Sequence, residues 1–134
     1  MSGSFELQLK AFEDKVPEVM TKVIKKVGLE LYMRIVIKTP VDTGRARGNW
    51  LIASGVIPQG VVDTLATAPN VAMALSTLAS YDSLSGMSIF IANNLDYINA
   101  LEHGHSGQAP EGMVQLTLTE FEGIVKKAAK KSNP

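Results

Sequence analysis

The chain has no cysteine among its 134 residues. That absence excludes disulfides, thiolate zinc sites and cysteine nucleophiles together, and it fits assembly in a reducing compartment. Long apolar runs are missing too. No stretch approaches the roughly 18 uninterrupted apolar residues of a membrane span, and "MSGSFELQLKAFEDK" lacks the basic start and apolar centre of a secretory leader. The sequence therefore predicts neither membrane spanning nor secretion. Tryptophan occurs once, so one large aromatic anchor has to be placed.

Cations are the other scarcity. Residues 51–112 contain no lysine or arginine against five acidic residues, whereas residues 1–50 carry nine against six and residues 113–134 four against two. The net charge of zero is thus a sum of parts at +3, −5 and +2. One reading is a buried middle flanked by solvated helices. The other is a surface kept free of cations, along which DNA would slide without sticking.

The remaining composition, 46% apolar and 19% charged, is that of a folded domain. A single domain over 1–134 is expected, with 1–4 and 127–134 as flexible ends. From Phe5 to Ile35 apolar residues recur at helical spacing, with Lys15, Glu18, Lys22 and Lys25 opposite. Pro17 predicts a kink, or a short first helix and a fresh start near Val16. In "LELYMRIVIK" the apolar residues surround the wheel, so this end should be embedded in its own domain or against another subunit.

Thr39-Pro40 closes the helix, because the residue before proline is pushed out of the α region. Residues 49–56 and "MSIFIANN" read as strands, the latter by the alternation of Met87, Ile89 and Ile91. "VVDTLATAPN" is irregular. Asn70 caps a short helix through "NVAMALSTLASY", and "DSLSG" is a turn. "LDYINALEHG" gives a helix stopped by Gly104, and Met113 to Lys131 gives a last helix whose lysines favour its C-terminus.

Few residues suggest chemistry. Glu102, His103 and His105 are of the types that bind zinc and would serve a small metal-dependent hydrolase, but Gly104 breaks the helical i,i+4 spacing such a pair needs. Ser106 beside His105 lacks a nucleophile elbow, and "GRARG" lacks the ending of a phosphate-binding loop. Arg45, Arg47 and Trp50 could hold nucleic acid by phosphate contact and stacking, although two arginines are few and the acidic middle opposes them. Packing and subunit contact use the same residue types.

The helix end into "TPVDTGRARGNW", the Asn93, Asn94, Leu95, Tyr97 step, the Leu101, Glu102, Gly104 step and "QAPEGMV" follow one another in fixed order. In that order they resemble the tail completion proteins of long-tailed double-stranded DNA bacteriophages, also described as neck or head–tail joining proteins. The likeness covers residues from about 16 to 125 and rests on order and spacing rather than on any single motif.

The resemblance implies an α+β fold: a long kinked N-terminal helix and a C-terminal helix packed on a small, mainly antiparallel sheet, with short helices between. It implies no enzymatic activity, no cofactor and no metal. It further implies a virion protein, assembled in the host bacterial cytoplasm as a homo-oligomeric ring, often hexameric, at the head–tail junction. Its neighbours would be connector or neck proteins and tail tube or terminator proteins, and phage DNA would pass through its lumen without sequence-specific binding. A tail terminator capping the tube is the alternative within the same resemblance.

On this reading Arg45, Arg47, Glu102, His103 and His105 are subunit or partner contacts. Pro40, Asp42, Gly44, Trp50 and Gly104 build turns and core. In an extended segment Arg45 and Arg47 would project to one side, toward acidic groups of a neighbour.

Overall fold

The computed structural model describes residues 5–7, 17–41, 44–103 and 112–132. Its longest element, α1 (Pro17–Lys38), opens on proline, whose missing N–H falls among the donors that a first helical turn leaves unpaired anyway. The fresh start expected near Val16 is therefore present, and α1 continues from it to Lys38. The helical spacing read from Phe5 does not hold throughout. Residues Phe5–Leu7 form a strand, β1.

After α1 come α2 (Arg45–Gly48), β2 (Trp50–Ser54), α3 (Val71–Ala79), one 3-10 turn (Ser83–Ser85), β3 (Ile89–Asn93), α4 (Ile98–Glu102), α5 (Val114–Thr119) and α6 (Phe121–Ser132). The described strands make one antiparallel sheet in the order β1-β3-β2. Register pairs Trp50 with Asn93, Ile52 with Ile91 and Ser54 with Ile89, which places these six on one face. The fold is α+β, with long first and last helices around a small antiparallel sheet.

Against that face lies α1, burying Ile24, Val27, Leu31, Tyr32, Ile35 and Val36. The end that looked apolar all round is covered within its own domain by α3, α5, α6 and the sheet. Ile37, 55% exposed, is its large apolar residue left to solvent. The need for a neighbour to cover α1 thus disappears, and apolar exposure is found elsewhere. The expected last helix is two, because Glu120 interrupts it, and the lysine-rich stretch read as a loose end is helical through Ser132.

Two further ties fix the layers. Asn70 caps α3 as expected, its side chain accepting from the Met73 N–H at 3.0 Å. Glu120 receives Lys38 Nζ at 2.6 Å and Arg34 Nη1 at 3.1 Å, joining α1 to the α5–α6 junction.

Candidate interaction site at the helix-to-strand corner

The corner begins where α1 stops. The Thr39 N–H donates to the Val36 carbonyl at 3.1 Å, and the Thr39 hydroxyl donates to the Ile35 carbonyl at 2.7 Å. The same hydroxyl accepts the indole N–H of Trp50 at 2.8 Å. A 1% exposed tryptophan is thereby satisfied by a fully buried threonine, so its bulk can fill the core without an orphaned donor. Pro40 is buried beside it.

Gly44 precedes α2 with φ 84°, and a Cβ there would come within 2.1 Å of the Leu65 carbonyl oxygen. Only glycine meets both demands. Asp42, the other turn residue expected here, lies outside the described residues.

Residues 45–48 are helical rather than extended, which separates the two arginines. Arg47 turns inward. Its guanidinium donates to the carbonyls of Thr39 at 2.8 Å, Ile37 at 2.7 Å and Thr67 at 3.0 Å. It closes the C-terminal end of α1, where carbonyls lack helical partners and a cation is favoured, and it ties loop 55–70 to that end. The expected role of Arg47 as a contact to a neighbour is therefore corrected: three of the five N–H donors of its guanidinium are used on carbonyls within the chain. Arg45 stays at the surface, 4.0 Å from an Asp63 carboxylate that is fully solvated.

Three asparagines extend the same device. Asn49 donates to Arg45 and Val62 carbonyls at 2.8 and 2.9 Å and accepts from the Val62 N–H at 2.6 Å. Asn93 donates to the Ala46 carbonyl at 2.9 Å, and Asn94 donates to those of Pro58 and Gly60, both at 3.1 Å. The Tyr32 hydroxyl receives the Asn70 N–H at 3.1 Å. Burial pushes the Tyr32 phenol above its ordinary range. Side chains thus hold the backbone of a loop that has no regular structure.

What the loop presents is apolar. Val56, Ile57, Val61, Val62 and Leu65 are all exposed, Leu65 at 69%. An irregular loop whose backbone is anchored at this many points, yet whose aliphatic side chains face water, suits contact with another protein.

The cluster around Glu102 is resolved differently. Glu102 is 8% exposed, and its carboxylate accepts the N–H groups of Met113, Val114 and Gln115 at 3.0, 2.9 and 2.8 Å. It caps the start of α5 from eleven residues away, satisfying donors that the helix leaves unpaired. Gly112, at φ 83°, lets the backbone pass close to it: a Cβ there would stand 2.4 Å from the Glu102 carbonyl oxygen. The expected role of Glu102 at a partner surface is corrected accordingly.

His103 is exposed, with Nδ1 2.7 Å from the Asn99 carbonyl. It does not face the buried Glu102 carboxylate, and the described residues hold no group of three metal-ligating side chains. His105 and Gly104 lie outside the described residues. Nor do Arg45, Arg47 and Trp50 form the nucleic-acid site considered for them, since the indole is buried and Arg47 is occupied.

Asn93 and Asn94 figured in the sequence only as an anchor of the resemblance and Asn49 not at all; the signal for their structural role is their position at strand ends, where the ladder stops and backbone groups need other partners. The sequence reading also left "VVDTL" as irregular chain, although three aliphatic residues in a loop are unusual enough to mark a contact. No protein-family model matches the chain, and neither a curated protein nor a solved structure matches it.

Proposed function

We propose that the protein is a non-enzymatic virion component that assembles as a ring at the head–tail junction of a long-tailed bacteriophage and links the tail to the DNA-filled head. The observation that carries the assembly part of this reading is the anchored loop: its backbone is fixed by Arg47, Asn49 and Asn94, while Val56, Ile57, Val61, Val62 and Leu65 stand in solvent. Enzymes place fixed polar groups in a cleft; here the fixed polar groups are spent on backbone and the apolar ones face outward.

The motif order from "TPVDTGRARGNW" to "QAPEGMV" supplies the phage setting, by resemblance. Charge supports it. Exposed Asp82 and Asp96 lie in a segment without lysine or arginine from Gly48 to His103, which lowers the attraction of that segment for DNA. The protein acts at the head–tail junction after assembly in the host cytoplasm, beside connector or neck proteins and the tail tube or its terminator.

The test is association. Purified protein is expected to sediment as a species larger than one chain at rising concentration, or to co-sediment with isolated tails or connectors. A chain that stays monomeric and binds neither partner contradicts the proposal.

A further inference from the structure

The charges of the described residues are sorted by element. Helices α1 and α6 together carry nine lysine and arginine residues against three glutamates, a surplus of six. Between Asn49 and His103 the charged side chains are Asp63, Asp82, Asp96 and Glu102, and Glu102 is buried. The basic pole is formed by α1 and α6, and the acid-bearing pole also holds Arg45, 4.0 Å from Asp63, and Arg47, bonded to the Thr67 carbonyl.

Each pole carries a matching shape. On the basic side, α1 and α6 leave a groove of about 120 Å³ lined by Lys26, Glu30, Arg34, Ile124, Lys127 and Ala128. Ile124 and Ala128 form its floor, and its rim carries Lys26, Arg34 and Lys127 together with Glu30. That volume is near the roughly 150 Å³ of an apolar cavity that accepts a benzene ring, so one aliphatic side chain fits. Arg34 is already bound to Glu30 and Glu120, whereas no ion pair among the described residues engages Lys26 or Lys127.

On the acidic side, residues 61–65 read Val-Val-Asp-Thr-Leu. They present Leu65 at 69% exposure, Val61 at 48% and a fully solvated Asp63.

We infer that the Val61–Leu65 segment of one copy docks into the α1–α6 groove of a second copy, with Leu65 over Ile124 and Ala128 and Asp63 between Lys26 and Lys127. The segment cannot reach the groove of its own chain, and Arg45 is its only neighbour of opposite charge among the described residues, at 4.0 Å from Asp63. Gly44 and Gly48 hold the segment at the far end of α1, and Lys26 lies about 18 Å back along that helix at ~1.5 Å per residue. A contact between two different surfaces of identical chains is head-to-tail, and such contacts repeat into a ring when the rotation closes. The inference rests on the ring-forming reading above and names the two surfaces that make the ring.

Charge reversal tests it. In sedimentation at low salt, the unchanged protein is expected to associate, and about 1 M salt, with a Debye length of roughly 3 Å, is expected to weaken association at least tenfold. Lys26→Glu with Lys127→Glu, and separately Asp63→Lys, should each sediment as monomers with unchanged circular dichroism. An equimolar mixture of the two should associate again, because each altered surface meets its complement. Unchanged association of both variants, or a mixture that remains monomeric, overturns these surfaces while leaving ring assembly intact. An unchanged protein that is monomeric at all concentrations overturns the inference outright, and co-sedimentation with tails or connectors then decides the junction role separately.

Discussion

Arg47 performs with one side chain what the end of a helix and the start of a loop each require. Its planar fork reaches three carbonyls on two segments, which a single ammonium cannot do in the same geometry. Arg47→Ala is expected to lower unfolding stability by about 2 kcal/mol, since hydrogen bonds to a charged donor are each worth roughly 1.5–3 kcal/mol before solvent exposure is allowed for. Arg47→Lys should recover less than half of that loss. Urea titration with a constant m-value reads both, and a loss below about 0.5 kcal/mol for the alanine variant would mean that water replaces the guanidinium without cost. The sequence offered "GRARG" as a pair of like residues. Nothing in a local pattern distinguishes an arginine that turns inward from one that does not, because the difference is made by carbonyls eight to twenty residues away.

At the scale of elements, what was legible followed local rules. Thr39-Pro40 stops α1, Asn70 caps α3, and alternation marks β3. Three features were not legible, each for a physical reason. Phe5–Leu7 is three residues long, too short for period two to be told from a helical turn, and it becomes a strand by pairing with β3. α2 is a four-residue helix with a glycine at its end, below the length at which propensity decides. The break at Glu120 coincides with long-range side-chain partners, Lys38 and Arg34, which no local pattern shows.

That junction has a pH dependence. The Lys38 hydrogen bond, followed by that of Arg34, holds the Glu120 carboxyl below its ordinary value of 4.5. A folded-state pKa lower than the unfolded one stabilises fully above the unfolded value and loses that contribution as pH falls through the folded one. Because Glu120 is partly solvated, the amount is small, about 0.5 kcal/mol. Glu120→Gln should therefore cost that much at pH 7 and nothing near pH 2. Equal losses at both pH values would assign the effect to packing rather than to charge.

The whole molecule joins an anchored apolar loop, flanked by Arg45 and Arg47, to a basic groove between α1 and α6. The charge asymmetry was already visible in residues 51–112, but its meaning was not, since a sequence shows that cations are absent and not which surface lacks them. The over-apolar end of α1 looked like the oligomer contact; instead α3, α5, α6 and the sheet cover it, and the exposure moved to residues 56–65. On the reading proposed above, this surface joins a tail to a head. Electron microscopy of particles assembled without the protein tests it most directly. Full heads and separate tails of normal length are expected; joined, intact particles would contradict the junction role, and so would tails of uncontrolled length, which belong to a terminator.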